Sequence, residues 1–292
     1  MDLSTFIVIV FCLIDEWLAD KQLRQRGPKP TLHDSEVLTM EVIGEFLGMD
    51  EDKAIYTYFR RHWASWFPGI AQVHRTTFVR QAANLWAVKQ QLWDYVLSQI
   101  DYDPTLSIVD SFPVPLCRFA RASRCKLMPE AAAYGYDELA RQTFYGFRAH
   151  VRICWPGVIT RIELTPANVH DLTALEYLTD DTSGWVIGDR NYWSPTLTEK
   201  LAQQDIVLLA PYKSAKREPF AWPLWLTQLR YRIETVFSQL VDRFNAKTVR
   251  ARDIWHLTSR WWRKILAHTL AVFAAQQLGF KSSLRFAELL TG

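Results

Sequence analysis

The chain has 292 residues, a net charge of +3 and an apolar share a little under half, which is ordinary globular chemistry with enough apolar surface for one large core or two smaller ones. So small a net charge gives no global signature of a nucleic-acid partner, and any such partner has to be read from local clusters. The four cysteines, Cys12, Cys117, Cys125 and Cys154, form no CxxC pair and lie near no histidines at zinc-finger spacing, so they read as reduced thiols of a cytoplasmic protein. The apolar run 6–14 follows Asp2 with no basic residue before it, meets Asp15 and Glu16 at once, and is too short to cross a bilayer. It reads as a core helix, and with no stretch of membrane length the chain is expected to be soluble.

Residues 1–100 read as helical. Asp34 suits the N-cap of a helix through Val37, Leu38, Val42, Ile43 and Phe46 that stops at Gly48. Residues 50–66 give a second segment, ended near Pro68. A long helix then reaches Leu97, with Thr76 or Thr77 as its cap and Phe78, Ala82, Leu85, Val88 and Leu92 at helical spacing. A short helix, a turn and a capped helix with Arg75 and Arg80 near its start is the pattern of a helix-turn-helix, whose second helix enters the major groove N-terminus first. A plain bundle has the same pattern, and both readings stay open.

Near residue 101 the texture changes. Residues 106–112, Leu-Ser-Ile-Val-Asp-Ser-Phe, are a β-branched run that reads as a buried strand. Residues 113–142, with Arg118, Arg121, Arg124 and Lys126, read as an irregular or partly helical basic excursion. Strands at 146–154 and 158–164 flank a Pro156-Gly157 turn signal. A helix at 171–178, a strand at 185–189, a helix opened by Ser194-Pro195 and a strand at 206–210 follow, then helices at about 227–244 and 257–278. Three adjacent strands and then alternating helices and strands is the order of an RNase H-like α/β fold, a mixed five-stranded sheet with helices. The expected division is an all-helical domain at 1–100 and a sheet domain at 101–292 that keeps the C-terminal helices.

Three acids occupy telling places in that order. Asp110 lies inside an apolar strand, where an uncompensated carboxylate costs several kcal/mol. Asp189 ends the fourth strand, where ligands of open α/β sheets gather and where turn-forming aspartates are also common. Glu234 sits at the edge of the apolar stripe Leu229, Ile233, Val236, Phe237, Leu240 and Phe244, and it is also an i,i+4 partner for Arg230. In the expected topology the three converge at one end of the sheet, where they would suit a pair of hard divalent cations roughly 4 Å apart that clamp an in-line phosphoryl transfer.

The stretches Ser107-Ile108-Val109-Asp110-Ser111-Phe112-Pro113, Gly188-Asp189-Arg190-Asn191-Tyr192 and Tyr231-Arg232-Ile233-Glu234-Thr235-Val236-Phe237 resemble the three acidic motifs of bacterial insertion-sequence DDE transposases. Over nearly its whole length the chain resembles the insertion-sequence family numbered 982, including Asp34-Ser35-Glu36-Val37-Leu38-Thr39, Pro166-Ala167-Asn168-Val169-His170-Asp171 and the basic C-terminal helix. The resemblance implies an enzyme that binds double-stranded DNA at the inverted repeats of its own element. It would nick the ends with water and join the freed 3′-hydroxyls to target DNA, using two Mg²⁺ or Mn²⁺ ions. It further implies a homodimer on DNA in the bacterial cytoplasm, associated with the nucleoid. Asp110, Asp189 and Glu234 match the metal-binding acids. The last motif departs from its relatives in one respect: a seven-residue step from Glu234 reaches Val241 rather than a lysine, and the nearest later base is Arg243.

The DNA-contacting residues expected are Arg75, Arg80, the loop bases Lys213, Lys216 and Arg217, the helix bases Arg230 and Arg232, and the C-terminal Arg250, Arg252 and Arg263. Lys247, Arg260 and Lys264 extend that run, and Trp261 or Trp262 could stack on unpaired bases or be buried. His150 reads as a core histidine and His170 as structural, with Asp171 a possible N-cap. The acids alone admit a nuclease without strand transfer, and a non-catalytic DNA-binding protein is a further alternative. A small-molecule metallohydrolase lacks a histidine-rich ligand set here.

Overall fold

The computed structural model describes residues 1–24, 26–117, 119–214, 221–280 and 282–290. They form two compact units, Met1–Ile100 with Leu240–Gly292, and Asp101–Gln239. Among the described residues no helix is long and apolar enough to cross a membrane.

The helical unit begins with α1 (Leu3–Leu18), started by Asp2, whose carboxylate accepts the Thr5 N–H at 2.7 Å, and seated through Phe6, Ile7, Val10 and Ile14. The next helix, α2 (Asp34–Phe46), begins one residue earlier than expected, with His33 rather than Asp34 as its N-cap. Glu36 accepts the His33 N–H at 2.6 Å, and Asp34 is taken by Arg24 and by Gln81 at 2.7 Å. Nearly all of its side chains are buried, so it forms the centre of the unit. Then come α3 (Asp52–His62), α4 (Gly69–Gln72), α5 (Arg75–Asn84) and α6 (Trp86–Leu97). The expected single helix from Thr76 to Leu97 is broken at Leu85. There the Ala82 carbonyl leaves the helical ladder for Lys89 Nζ at 3.1 Å and Ser259 Oγ at 2.9 Å, and inserted side chains of this kind kink a helix. His74, rather than Thr76 or Thr77, caps α5 by accepting the Thr76 N–H at 3.3 Å.

The sheet unit is built on β1 (Asp103–Pro115), β2 (Ala133–Asp137), β3 (Gln142–Trp155), β4 (Val158–Pro166), β5 (Gly184–Ile187) and β6 (Ile206–Leu209). Its helices are α7 (Asp171–Thr179), α8 (Pro195–Ala202) and α9 (Leu224–Ser238). The sheet runs β2-β3-β1-β5-β6, with β4 also on β3. β1 is antiparallel to β3 and parallel to β5, and β5 is parallel to β6. It therefore has six strands, not five. The extra one, β2, lies in the stretch expected to be irregular, where Tyr134 and Tyr136 alternate with Gly135 and Tyr134 packs on Tyr145 of β3 with ring centroids 5.1 Å apart. The core behind the parallel strands contains Val109, Leu175, Leu178, Val186, Tyr192 and Ile206. Against β1 lies α9, with Ile233 and Val236 buried and Phe237 edge-on to Phe112 at 4.8 Å. The helix expected at 227–244 is α-helical only to Ser238 and gives way to a π-turn over Gln239–Arg243, closed at Asn245 with φ 49°.

The last long helix, α10 (Ile254–Gln277), starts at Asp253, which accepts the His256 N–H at 2.9 Å. It packs in the helical unit against α2 and α6, where the sequence places it with the sheet domain. Its charged residues explain the difference. Arg263 is fully buried and bonds Glu45 at 2.7 Å and Asp52 at 2.6 Å, while Lys264 meets Glu45 at 3.0 Å. Lys89 of α6 joins the same network through Glu41 at 2.7 Å. Arg263 was expected on DNA; its guanidinium is instead an internal counter-ion, and Trp261 beside it is buried as well.

Candidate active site

Parallel pairing of β1 and β5 puts Ile108 opposite Ile187. Asp110, still within β1, is two residues beyond the first, and Asp189, past the end of β5, is two beyond the second, so the acids lie side by side across a strand spacing of about 4.8 Å. Each is fixed locally. Asp110 accepts the Ser111 N–H at 2.7 Å. Asp189 accepts the Asn191 N–H at 2.8 Å, which closes the short 3₁₀ turn Arg190–Tyr192. Gly188 is required there: a Cβ would stand 2.8 Å from the Tyr192 ring, which packs beneath the turn.

The electrostatics of the pair are those of two like charges out of water. Burial, then the charge of Asp189, push the Asp110 carboxyl up to about 7. Burial also raises Asp189, with Asp171 and Glu138 adding to it and the Asn191 amide and Arg230 opposing. Neither acid makes an ion pair within 4 Å among the described residues. Tyr192 is fully buried beside them, and its hydroxyl has no hydrogen-bond partner among the described residues. Burial and the charges of Asp171, Asp110 and Asp189 hold that phenol well above its ordinary range.

Asp171 is a member of this cluster that the sequence reading gave only a capping role. The N-cap is His170, whose Nδ1 accepts the Leu172 N–H at 3.2 Å, which leaves the Asp171 carboxylate free to turn to the sheet. There it accepts Ser111 Oγ–H at 2.7 Å and lies 3.4 Å from His150 Nδ1. Burial opposes its charge, but His150, Ser111 and Arg148 outweigh burial and hold Asp171 below the usual carboxylate range. Ser111 and His150 face each other across β1 and β3, so one register positions the Asp171 support and Asp110 together. The sequence signal was present: an in-strand histidine, and an acid at the start of the helix after β4. His150 is a core histidine, fully buried, with Nε2 2.9 Å from Thr165 Oγ1.

Glu234 is not gathered into the pair. It is exposed on α9, 3.8 Å from Arg230 one turn earlier. Its face of the helix is nonetheless the one turned to the acids. Arg230 (i−4) lowers the carboxyl pKa of both Asp110 and Asp189, and Phe237 (i+3) packs on Phe112 of β1. Among the described residues no group of three His, Cys, Asp or Glu side chains is arranged to hold a metal ion. As a donor set, Asp110 and Asp189 fit a hard divalent cation: all their ligand atoms are oxygen, and their mutual repulsion is what such an ion relieves.

Of the expected DNA contacts, Arg75, Arg80, Arg250 and Arg252 are exposed and line one cleft of the helical unit. Lys213 is exposed. Arg230 is partly exposed beside the acids, and Arg232 lies over the Trp155 ring at 5.0 Å. Lys216, Arg217 and Arg118 lie outside the described residues.

The mixed sheet thus carries a like-charge aspartate pair on two adjacent parallel strands, Asp110 within β1 and Asp189 just beyond β5. Residues 102–254 match the family described as Transposase DDE domain, and the chain belongs to that family. Asp110, Asp189 and Glu234 all fall inside the matched span. No curated protein matches the chain. A solved structure described as piggyBac transposase synaptic complex with hairpin DNA shares 10% identity at a TM-score of 0.48, over 98% of this chain and 76% of that one, a similarity too distant to carry a reading of fold or function.

Proposed function

We propose that the chain is a DNA transposase that cleaves the ends of its element and transfers the freed strands, with Asp110, Asp189 and Glu234 as its catalytic acids. The observation that carries this reading is that Asp110 and Asp189 each lie two residues beyond the paired Ile108 and Ile187 of adjacent parallel strands, in a chain of the Transposase DDE domain family. The sheet order β4-β3-β1-β5-β6, three antiparallel strands and then two parallel ones, supports an RNase H-like fold. The resemblance to the insertion-sequence family numbered 982 supports recognition of terminal inverted repeats, a homodimer on DNA and a bacterial, nucleoid-associated site of action.

Two divalent ions, Mg²⁺ or Mn²⁺, would be held by Asp110 and Asp189 with Glu234 completing the set, and would supply charge stabilisation at the attacking and leaving oxygens of the phosphate. The chain's own residues prepare that site. Ser111, Asn191 and the Tyr192 packing fix the two aspartates, and Asp171 with His150 braces β1 at Ser111. Arg230 sets a positive charge beside both acids, where it can hold a scissile phosphate against them.

The test is to incubate the protein with labelled linear DNA carrying the element's ends, with and without Mg²⁺, beside Asp110→Ala, Asp189→Ala and Glu234→Ala. Boundary nicks and joined products that vanish without metal and in every variant are the expected outcome. Nicking without joining would favour a metal-dependent nuclease, to which the same acids are suited. Binding without nicking, unchanged in the variants, would leave a DNA-binding protein.

A further inference from the structure

The helical unit contains a cleft of about 840 Å³ whose walls come from two distant stretches of sequence. One wall is the first turn and a half of α5, which presents Arg75, Val79 and Arg80. The other is the approach to α10 and its first turns, which presents Arg250, Arg252 and Arg260. The floor is the acidic stretch Asp50, Glu51 and Asp52.

The arginines of the cleft fall into two classes. Arg75, Arg80 and Arg252 are exposed and make no ion pair with the described acids. Arg250 is held by Glu51, with Asp50 3.8 Å away, and Arg260 is held by Asp52 at 2.5 Å. Free guanidinium groups on both walls suit a run of phosphates rather than a single anion. The start of α5 adds the positive end of a helix dipole and its leading amides, of which the His74 ring occupies the one on Thr76. Val79 lies on the same helix face as Arg75, one turn on, and a small apolar side chain between phosphate-binding arginines suits the thymine methyl edge of a major groove, which has the width of an α-helix.

We infer that this cleft clamps the backbone of duplex DNA with the start of α5 turned to the groove, and that Glu51 is a built-in competitor whose hold on Arg250 a DNA phosphate displaces. The identity of the polyanion rests on the transposase reading; the two-walled site and its internal competitor do not. Cation release from Glu51 makes binding selective for a ligand of high charge density, because a weak anion cannot repay the broken pair.

The measurement is fluorescence anisotropy of a short labelled duplex, in EDTA so that no cleavage occurs, across a series of salt concentrations. The proteins are the wild type, Glu51→Gln and the triple variant Arg75→Ala/Arg80→Ala/Arg252→Ala. The triple variant should bind roughly a hundredfold more weakly and flatten the log affinity against log salt plot by about one per arginine. Glu51→Gln should bind about three- to tenfold more tightly with a steeper slope. Thermal unfolding of the triple variant checks its fold, and if it melts early the Glu51→Gln result decides alone. Wild-type affinity and slope in these cleft variants, with duplex still bound by the wild type, would overturn the clamp and leave the function standing. With a labelled single-stranded RNA of the same length as a second probe, a loss confined to the RNA would overturn the choice of partner. A wild type that binds no duplex even at low salt would overturn the transposase reading itself.

Discussion

In the helical unit Glu41, Glu45 and Asp52 are almost wholly out of water, and each is met by a cation: Lys89, Lys264, Arg263 or Arg260. At the sheet end of the other unit Asp110 and Asp189 are also desolvated; Asp110 meets the charges of Asp189 and Asp171, Asp189 meets that of Asp171, and Arg230 opposes at both. The consequences run in opposite directions at Asp52 and Asp110, although at Glu41 burial outweighs Lys89 and Arg263 and raises the carboxyl. Burial works against the charge on Asp52, yet Arg263 and Arg260 hold it far below the usual carboxylate range, whereas Asp110 is pushed up to about 7. Buried charge by itself is therefore no mark of a site in this molecule. The mark is buried charge that the protein leaves uncompensated, because that is where an external cation or phosphate gains the most.

The largest effect should come from breaking the compensated network. Arg263→Met leaves Glu45 and Asp52 buried without their main partner, and the expected loss is about 3–5 kcal/mol in denaturant unfolding. Weaker DNA binding by this variant should follow its loss of fold in proportion. A variant as stable as the wild type but defective on DNA would return Arg263 to the DNA surface.

Removing a charge from the uncompensated pair should do the reverse. The folded pKa of Asp110 lies above its unfolded value, so its contribution to stability is complete below about pH 4 and is lost as pH rises toward 7. In metal-free buffer above pH 7, Asp110→Asn should then be more stable than the wild type by roughly 2–4 kcal/mol, and the two should converge near pH 4. Curves that run parallel across that window would show that the pair is not strained. Magnesium at a hundred times its dissociation constant should stabilise the wild type at pH 8 by about 2.7 kcal/mol and stabilise neither Asp110→Asn nor Asp189→Asn. A metal-induced shift that survives both substitutions would place the cation elsewhere.

The same contrast explains what could be read from the sequence. Strands β1, β3, β4, β5 and β6 were legible because β-branched runs flanked by turn residues are local signals, and Asp110 and Asp189 were legible because an acid at the end of such a run is conspicuous. What pairs with what was not local. Arg263 and Arg252 look alike in a basic stretch, and only the packing of α10 against α2 makes the first an internal counter-ion and leaves the second exposed. Asp171 looked like a cap because its partner, Ser111, comes near only through the pairing of β1 with β3 and the placement of α7. The break at Leu85 was hidden for the same reason: it depends on Ser259, far along the chain.

Glu234 should give the smallest change in stability and the clearest division between structure and chemistry. It is exposed, and its contact is an i,i+4 pair with Arg230 at 3.8 Å, worth about 0.5 kcal/mol at most, so Glu234→Gln should unfold almost as the wild type does. If it is the third acid, losing its charge removes several kcal/mol from the transition state, and cleavage should fall on the order of a hundredfold or more. The helix makes this reasonable. Glu234 lies between Arg230, which reaches both aspartates electrostatically, and Phe237, which rests on β1 beside them, so a change of rotamer that exchanges Arg230 for a cation keeps α9 where it is. Arg230→Ala sharpens the point: by freeing Glu234 it should tighten magnesium binding to the metal-free protein while weakening DNA. Full cleavage by Glu234→Gln would remove it from the catalytic set and leave Asp171, already at the pair, as the acid to test next.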